Sequence, residues 1–170
     1  MNALPLATRA ALGRVRDAPT ILDAVDAFDE VAVATSRDGW RASEDLAHAI
    51  DDPDPLVALA AVHGAAADPQ VAEALLVPLL SDERPHLREH AAWALAASEP
   101  VRAAVDPLRR IVEEGCFAGT LAEATLERWF DEPERPGPAP LGPEWSAGSA
   151  RGGLTVAQLV DWWDATRGGQ

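Results

Sequence analysis

His86, Glu89 and His90 hold the one spacing in this chain that reads as chemistry. In His-x-x-Glu-His two imidazoles stand one helical turn apart with a carboxylate beside them, the arrangement by which a zinc hydrolase holds its metal and activates water. A catalytic zinc also needs a third protein ligand, an open coordination position and a glutamate placed as general base. Only the pair and the glutamate are visible here, and no motif marks a downstream carboxylate ligand. His86 falls in the first turn of its helix, where the dipole disfavours a cation. Asp51, Asp52 and Asp54 cluster in a turn without the Asp-x-Asp-x-Asp-Gly frame of a calcium loop, so capping is their expected role. Cys116 has no histidine near it in sequence and suits a small core position. Gly152-Gly153 lacks the lysine and longer glycine frame of a phosphate loop. Neither a metal nor a cofactor is therefore expected.

The elements that must position these residues are helices. Alanine, leucine and valine dominate, tyrosine is absent, and β-branched residues seldom alternate, which predicts an all-α chain. With 170 residues it is long enough for one sizeable core. Its 28 acidic and 14 basic side chains leave a formal charge of −14, which repels phosphate backbones and anionic membranes and favours partners with basic patches. The single cysteine permits no internal disulfide, and no stretch reads as a signal peptide or a membrane span. A cytoplasmic protein is expected.

From residue 43 onward apolar blocks alternate with the punctuators DDPDP, ADP, SDERP and SEP. Asp54-Pro55 and Asp68-Pro69 each place a capping carboxylate before a proline suited to the first helical position. The punctuators recur: Pro55 to Pro85 spans 30 residues and Pro69 to Pro100 spans 31. That is the period of paired helices stacked into a solenoid. A third pair follows, with helices near Val101 to Glu114 and Cys116 to Phe130, and Pro78 and Pro107 should kink the first helices they sit in. Residues 1–40 should supply cruder helices that cap the stack, with Leu22, Val25 and Phe28 as their apolar stripe.

The blocks DDPDPLVALAAVHGAA and SDERPHLREHAAWALAA resemble HEAT-type repeats of the short bacterial, phycobilin-lyase-like kind. The resemblance implies an α-solenoid over 1–130, and in its pattern a loop Asp pairs with a helix Arg, here Asp82 with Arg88. The earlier repeat keeps Asp52 but has Ala58 in place of that arginine. In the same register Leu87, Ala91, Ala94 and Leu95 fill the core, while Glu89, His90 and Trp93 point outward from the second helix, which accounts for the histidines without a metal. His63 is equivalent to Trp93, so the two should lie side by side on adjacent second helices, which line the concave face in this family. His63, Glu89, His90 and Trp93, with Glu123, make up the expected partner-binding face, because exposed Trp is enriched in binding hot spots.

Past residue 130 the chain reads as a Pro/Gly-rich linker over 131–153, with four prolines and five glycines from Glu134 to Gly153. Residues 154–170 then offer Leu159, Trp162 and Trp163 as an amphipathic docking segment, for the solenoid itself or for a partner. The run from Cys116 through this linker to Leu159 also resembles the junction between HEAT array and catalytic domain in actinobacterial glycosyltransferases, without the catalytic domain. The expected function is a non-catalytic scaffold that binds another protein. An accessory subunit of a glycosyltransferase or other biosynthetic enzyme, and a zinc-dependent hydrolase using His86, Glu89 and His90, are the alternatives.

Overall fold

A computed structural model describes residues 6–130. The linker and the segment carrying Leu159, Trp162 and Trp163 lie outside the described residues.

Helices form where the punctuation places them. Thr20 caps α2 (Ile21–Asp38), its hydroxyl accepting from the Asp23 amide at 3.2 Å. Asp54 caps α4 (Pro55–Ala65) by accepting from the Leu56 amide at 2.9 Å. Asp68 caps the next helix by accepting from the amides of Gln70 and Val71, both at 3.0 Å. The ends use glycine where the chain turns left-handed: Gly39 at φ 57° closes α2 and Gly115 at φ 64° follows the helix Val105–Glu113.

The first pair is α1 (Ala7–Arg16) with α2, and the second is α3 (Ser43–Ile50) with α4. In the third, a broken helix precedes α7 (Pro85–Ala94); it runs as α5 (Pro69–Val71), a π-helical stretch Ala72–Leu76, and α6 (Val77–Leu79). The fourth is α8 (Val105–Glu113), entered through a 3-10 turn Arg102–Ala104, with α9 (Phe117–Phe130). The second helices stack in the order α2, α4, α7, α9, each against the next. The result is an all-α solenoid, with no strand among the described residues.

The prolines act more locally than a kink. Pro78 lacks the N–H that would close an ordinary turn, and the widened π turn sits immediately before its helix segment. Pro107 lies in the first turn of α8, where the missing donor costs least.

The core is leucine and alanine. Leu46, Leu56, Leu59, Leu76, Leu80, Leu87, Leu95 and Leu108 are all fully buried. Helix α4 is central, packing on α1, α2, α3 and α7, and between Pro55 and Ala65 every residue but His63 is buried. Its small side chains let neighbours come close. A Cβ on Gly64 would lie 2.5 Å from Val31 Cγ1, so glycine is what permits the α2–α4 spacing. The expected stripe on α2 is corrected in part: Phe28 is buried and Val25 half-buried, but Leu22 is 73% exposed. The open side of the first pair has no neighbouring helix among the described residues, so Leu22 has nothing to bury against.

The Asp82–Arg88 clasp is also corrected. Asp82 instead holds Arg84, accepting from its backbone amide at 2.8 Å and from Nε and Nη2 at 2.9 Å. Arg84 extends the link to Asp51 at 3.0 Å, joining successive loops. Arg88 pairs with Glu114 at the end of α8. Asp52, whose own repeat has Ala58 in place of the clasp arginine, binds Arg16 at the end of α1. Arg84, two residues away in the same loop, satisfies Asp82. The acidic turn at 51–54 is thus occupied by caps and ion pairs.

Candidate functional site

The repeat register puts His63 of α4 beside Trp93 of α7, and the rings stack with centroids 5.8 Å apart and planes 27° apart. His90, one turn before Trp93 on α7, stacks on the same indole at 5.0 Å and 28°. Phe28 of α2 closes the group, edge-on to His90 at 6.5 Å and tilted to His63 at 6.0 Å. Rings from α2 and α7 therefore meet across the intervening α4, which its alanines and glycine make possible. At the rim, His63 Nε2 lies 3.3 Å from Asp29 Oδ1, and the Asp29 side chain is 90% exposed.

Burial separates the expected partner face into two sets. Trp93 and His63 are half-buried and Glu123 of α9 is exposed, so these three reach solvent. Glu89 and His90 do not, being 4% and 0% exposed. Their assignment to the outward face is corrected. The repeat pattern counts a position as outward when it turns away from its own first helix, yet α7 also packs on α4 and on α9, which cover that flank. Phe28 entered the expectation only as part of a stripe, and Asp29 not at all. The step from Asp29 to His63 is 34 residues where the later repeats step by 30, so the period gives no signal for it.

Burial favours the neutral form of both residues and so shifts them in opposite directions. Burial pushes His90 down to about 3, helped by the nearby His63 and His86 charges, so its imidazole stays uncharged. Burial pushes Glu89 up to about 7, with the Arg88 guanidinium opposing, so its carboxyl keeps its proton in mildly acidic solution. Neither ring nitrogen of His90, nor Glu89 Oε2, has a hydrogen-bond partner among the described residues. His63 is lowered by burial against the pull of Asp29, and His86 by burial and Arg84. Among the described residues no group of three or more His, Cys, Asp or Glu could hold a metal ion. His86 and His90 remain a pair, with one imidazole sealed between aromatic rings.

A family model described as HEAT repeats matches residues 42–126, half of the chain. The chain belongs to the HEAT-repeat family. No curated protein and no solved structure matches it significantly. HEAT repeats commonly serve as protein-interaction scaffolds and are typically non-catalytic. In this HEAT array no helix among the described residues is long and apolar enough to cross a membrane. Cys116 at the head of α9 is half-buried and free, its Sγ 4.0 Å from Glu114 Oε2.

The arrangement has the parts of a recognition surface. Along the second helices run an exposed carboxylate, a half-buried imidazole, a half-buried indole and a second exposed carboxylate: Asp29, His63, Trp93 and Glu123. The buried His90 and Phe28 lie behind this row, against the two rings in front.

Proposed function

We propose that this chain is a protein-binding scaffold that engages another protein through the row Asp29, His63, Trp93 and Glu123 on its second helices, the concave face of a HEAT solenoid. One observation carries the reading. Trp93 is half-exposed yet held rigidly on two imidazoles, so it offers a large, pre-ordered apolar contact that loses little entropy on binding. The flanking carboxylates and the net charge of −14 favour a partner that brings Lys or Arg to this face. Cation–π contact with the indole adds to that preference.

The test is affinity capture from the source cell with quantitative recovery. Wild type is compared with Trp93→Ala and with Glu123→Arg, after circular dichroism has shown that each variant stays helical. Loss of a common partner with both variants is the expected result. Recovery of every co-purifying protein unchanged in both removes this face as the binding surface.

A further inference from the structure

The open side of the first helix pair is a second surface, which meets the concave row only at Asp29. Two adjoining cavities lie between α1 and α2, of about 320 and 440 Å³, and share Arg14 and Glu30 in their walls. Together they form one groove along α2. Its floor is apolar and small, from Ala18, Ala27 and Ala34. Leu22 and Val33, 73% and 50% exposed, are two of the three large apolar side chains that stand in solvent among the described residues. Leu22, Asp26, Asp29 and Val33 follow the i, i+4, i+7, i+11 spacing, so they share one stripe of α2; Val33 lines the smaller cavity, and Leu22, which lines neither, extends the stripe one turn beyond Asp26. The two apolar ends of that stripe are roughly 16 Å apart along the axis, about three helical turns.

The charge on this groove is one-sided. Asp17, Asp23, Asp26, Asp29 and Glu30 line it against only Arg14 and Arg37. Arg14 is already bound to Glu30. A second copy of this chain would bring the same excess of carboxylates and be repelled.

We propose that the groove seats a basic amphipathic helix of another protein, its apolar residues on Leu22 and Val33 and its Lys or Arg side chains on Asp23, Asp26 and Asp29. A three-turn helix with apolar residues at both ends of one face and cations between them matches the stripe in length and sign. Helix-in-groove recognition of this kind draws affinity from the apolar anchors and orientation from the charges.

The probe is a fluorescein-labelled amphipathic helical peptide of leucine and lysine, with the same peptide carrying glutamate for lysine as its control, followed by anisotropy. Three double variants of the full chain are compared after circular dichroism confirms the fold: Leu22→Ser/Val33→Ser, Asp26→Asn/Asp29→Asn and the charge-matched Glu73→Gln/Glu83→Gln. Each of the first two should weaken the lysine peptide roughly tenfold, as for loss of hot-spot contacts, and the third should leave it within about twofold. The glutamate peptide should not bind. Equal weakening by both charge-removing variants would reduce the attraction to diffuse charge and overturn the proposal. So would an unchanged Leu22→Ser/Val33→Ser affinity, or sedimentation showing that wild type self-associates through these two residues. Trp93→Ala should keep full peptide affinity; a tenfold loss there would move the peptide to the concave row and overturn the groove.

Discussion

Glu89→Gln isolates the proton that the fold keeps on Glu89. In the folded chain this carboxyl titrates at about 7 against an ordinary 4.5, because burial disfavours its charged form. Its contribution to stability is whole below pH 4.5 and is lost as pH rises through 7. Integrating between those two values, the wild-type chain loses roughly 2.5 kcal/mol through Glu89 from about pH 5 to about pH 8. Gln has nearly the same shape and never ionises, so the variant escapes that loss. Any fixed cost of the amide cancels in the comparison. The stability gap between variant and wild type should therefore move by roughly 2.5 kcal/mol in favour of the variant across that range. Urea unfolding at several pH values, followed by far-UV circular dichroism and tryptophan fluorescence, measures it. A gap that stays constant to within about 0.5 kcal/mol would mean that Glu89 ionises freely in the fold, and the account of its burial would be wrong.

Two further substitutions probe the packing of α4 and the entry to α5. Gly64→Ala places a methyl 2.5 Å from Val31 Cγ1 and 3.3 Å from Thr35 Oγ1, and should destabilise by about 1–3 kcal/mol as α2 and α4 are pushed apart, read from the urea midpoint. Asp68→Ala removes the acceptor for two backbone amides at the start of α5 and should cost about 1–2 kcal/mol, visible as a lowered thermal midpoint.

Much of this architecture is legible in one dimension because helical repeats are local. Asp54-Pro55 and Asp68-Pro69 mark helix starts, and Asp54 and Asp68 cap as their neighbours dictate. The step of 30 residues brings His63 and Trp93 together, since equivalent positions on stacked helices must be adjacent. What failed was the sense of direction on α7. Glu89 and His90 are polar, and a polar residue on a repeat helix reads as solvent-facing. In the fold both are buried, at a desolvation cost that shows in their shifted titrations. The Asp82–Arg88 pairing failed for a related reason, because several arginines compete for each carboxylate and only the folded distances choose among them.

By itself, then, the sequence determined the helical class, the caps at Asp54 and Asp68, the pairing of helices beyond residue 43 and the acidic composition, all properties carried by neighbours in the chain or by a fixed period. The tertiary structure alone decided which polar side chains the stack seals inside, how Phe28 reaches His90 across α4, and that Asp29 stands at the rim of His63. Those outcomes depend on contacts between residues 34 to 62 positions apart, and on the width of α4, where alanines and one glycine let α2 and α7 close over it.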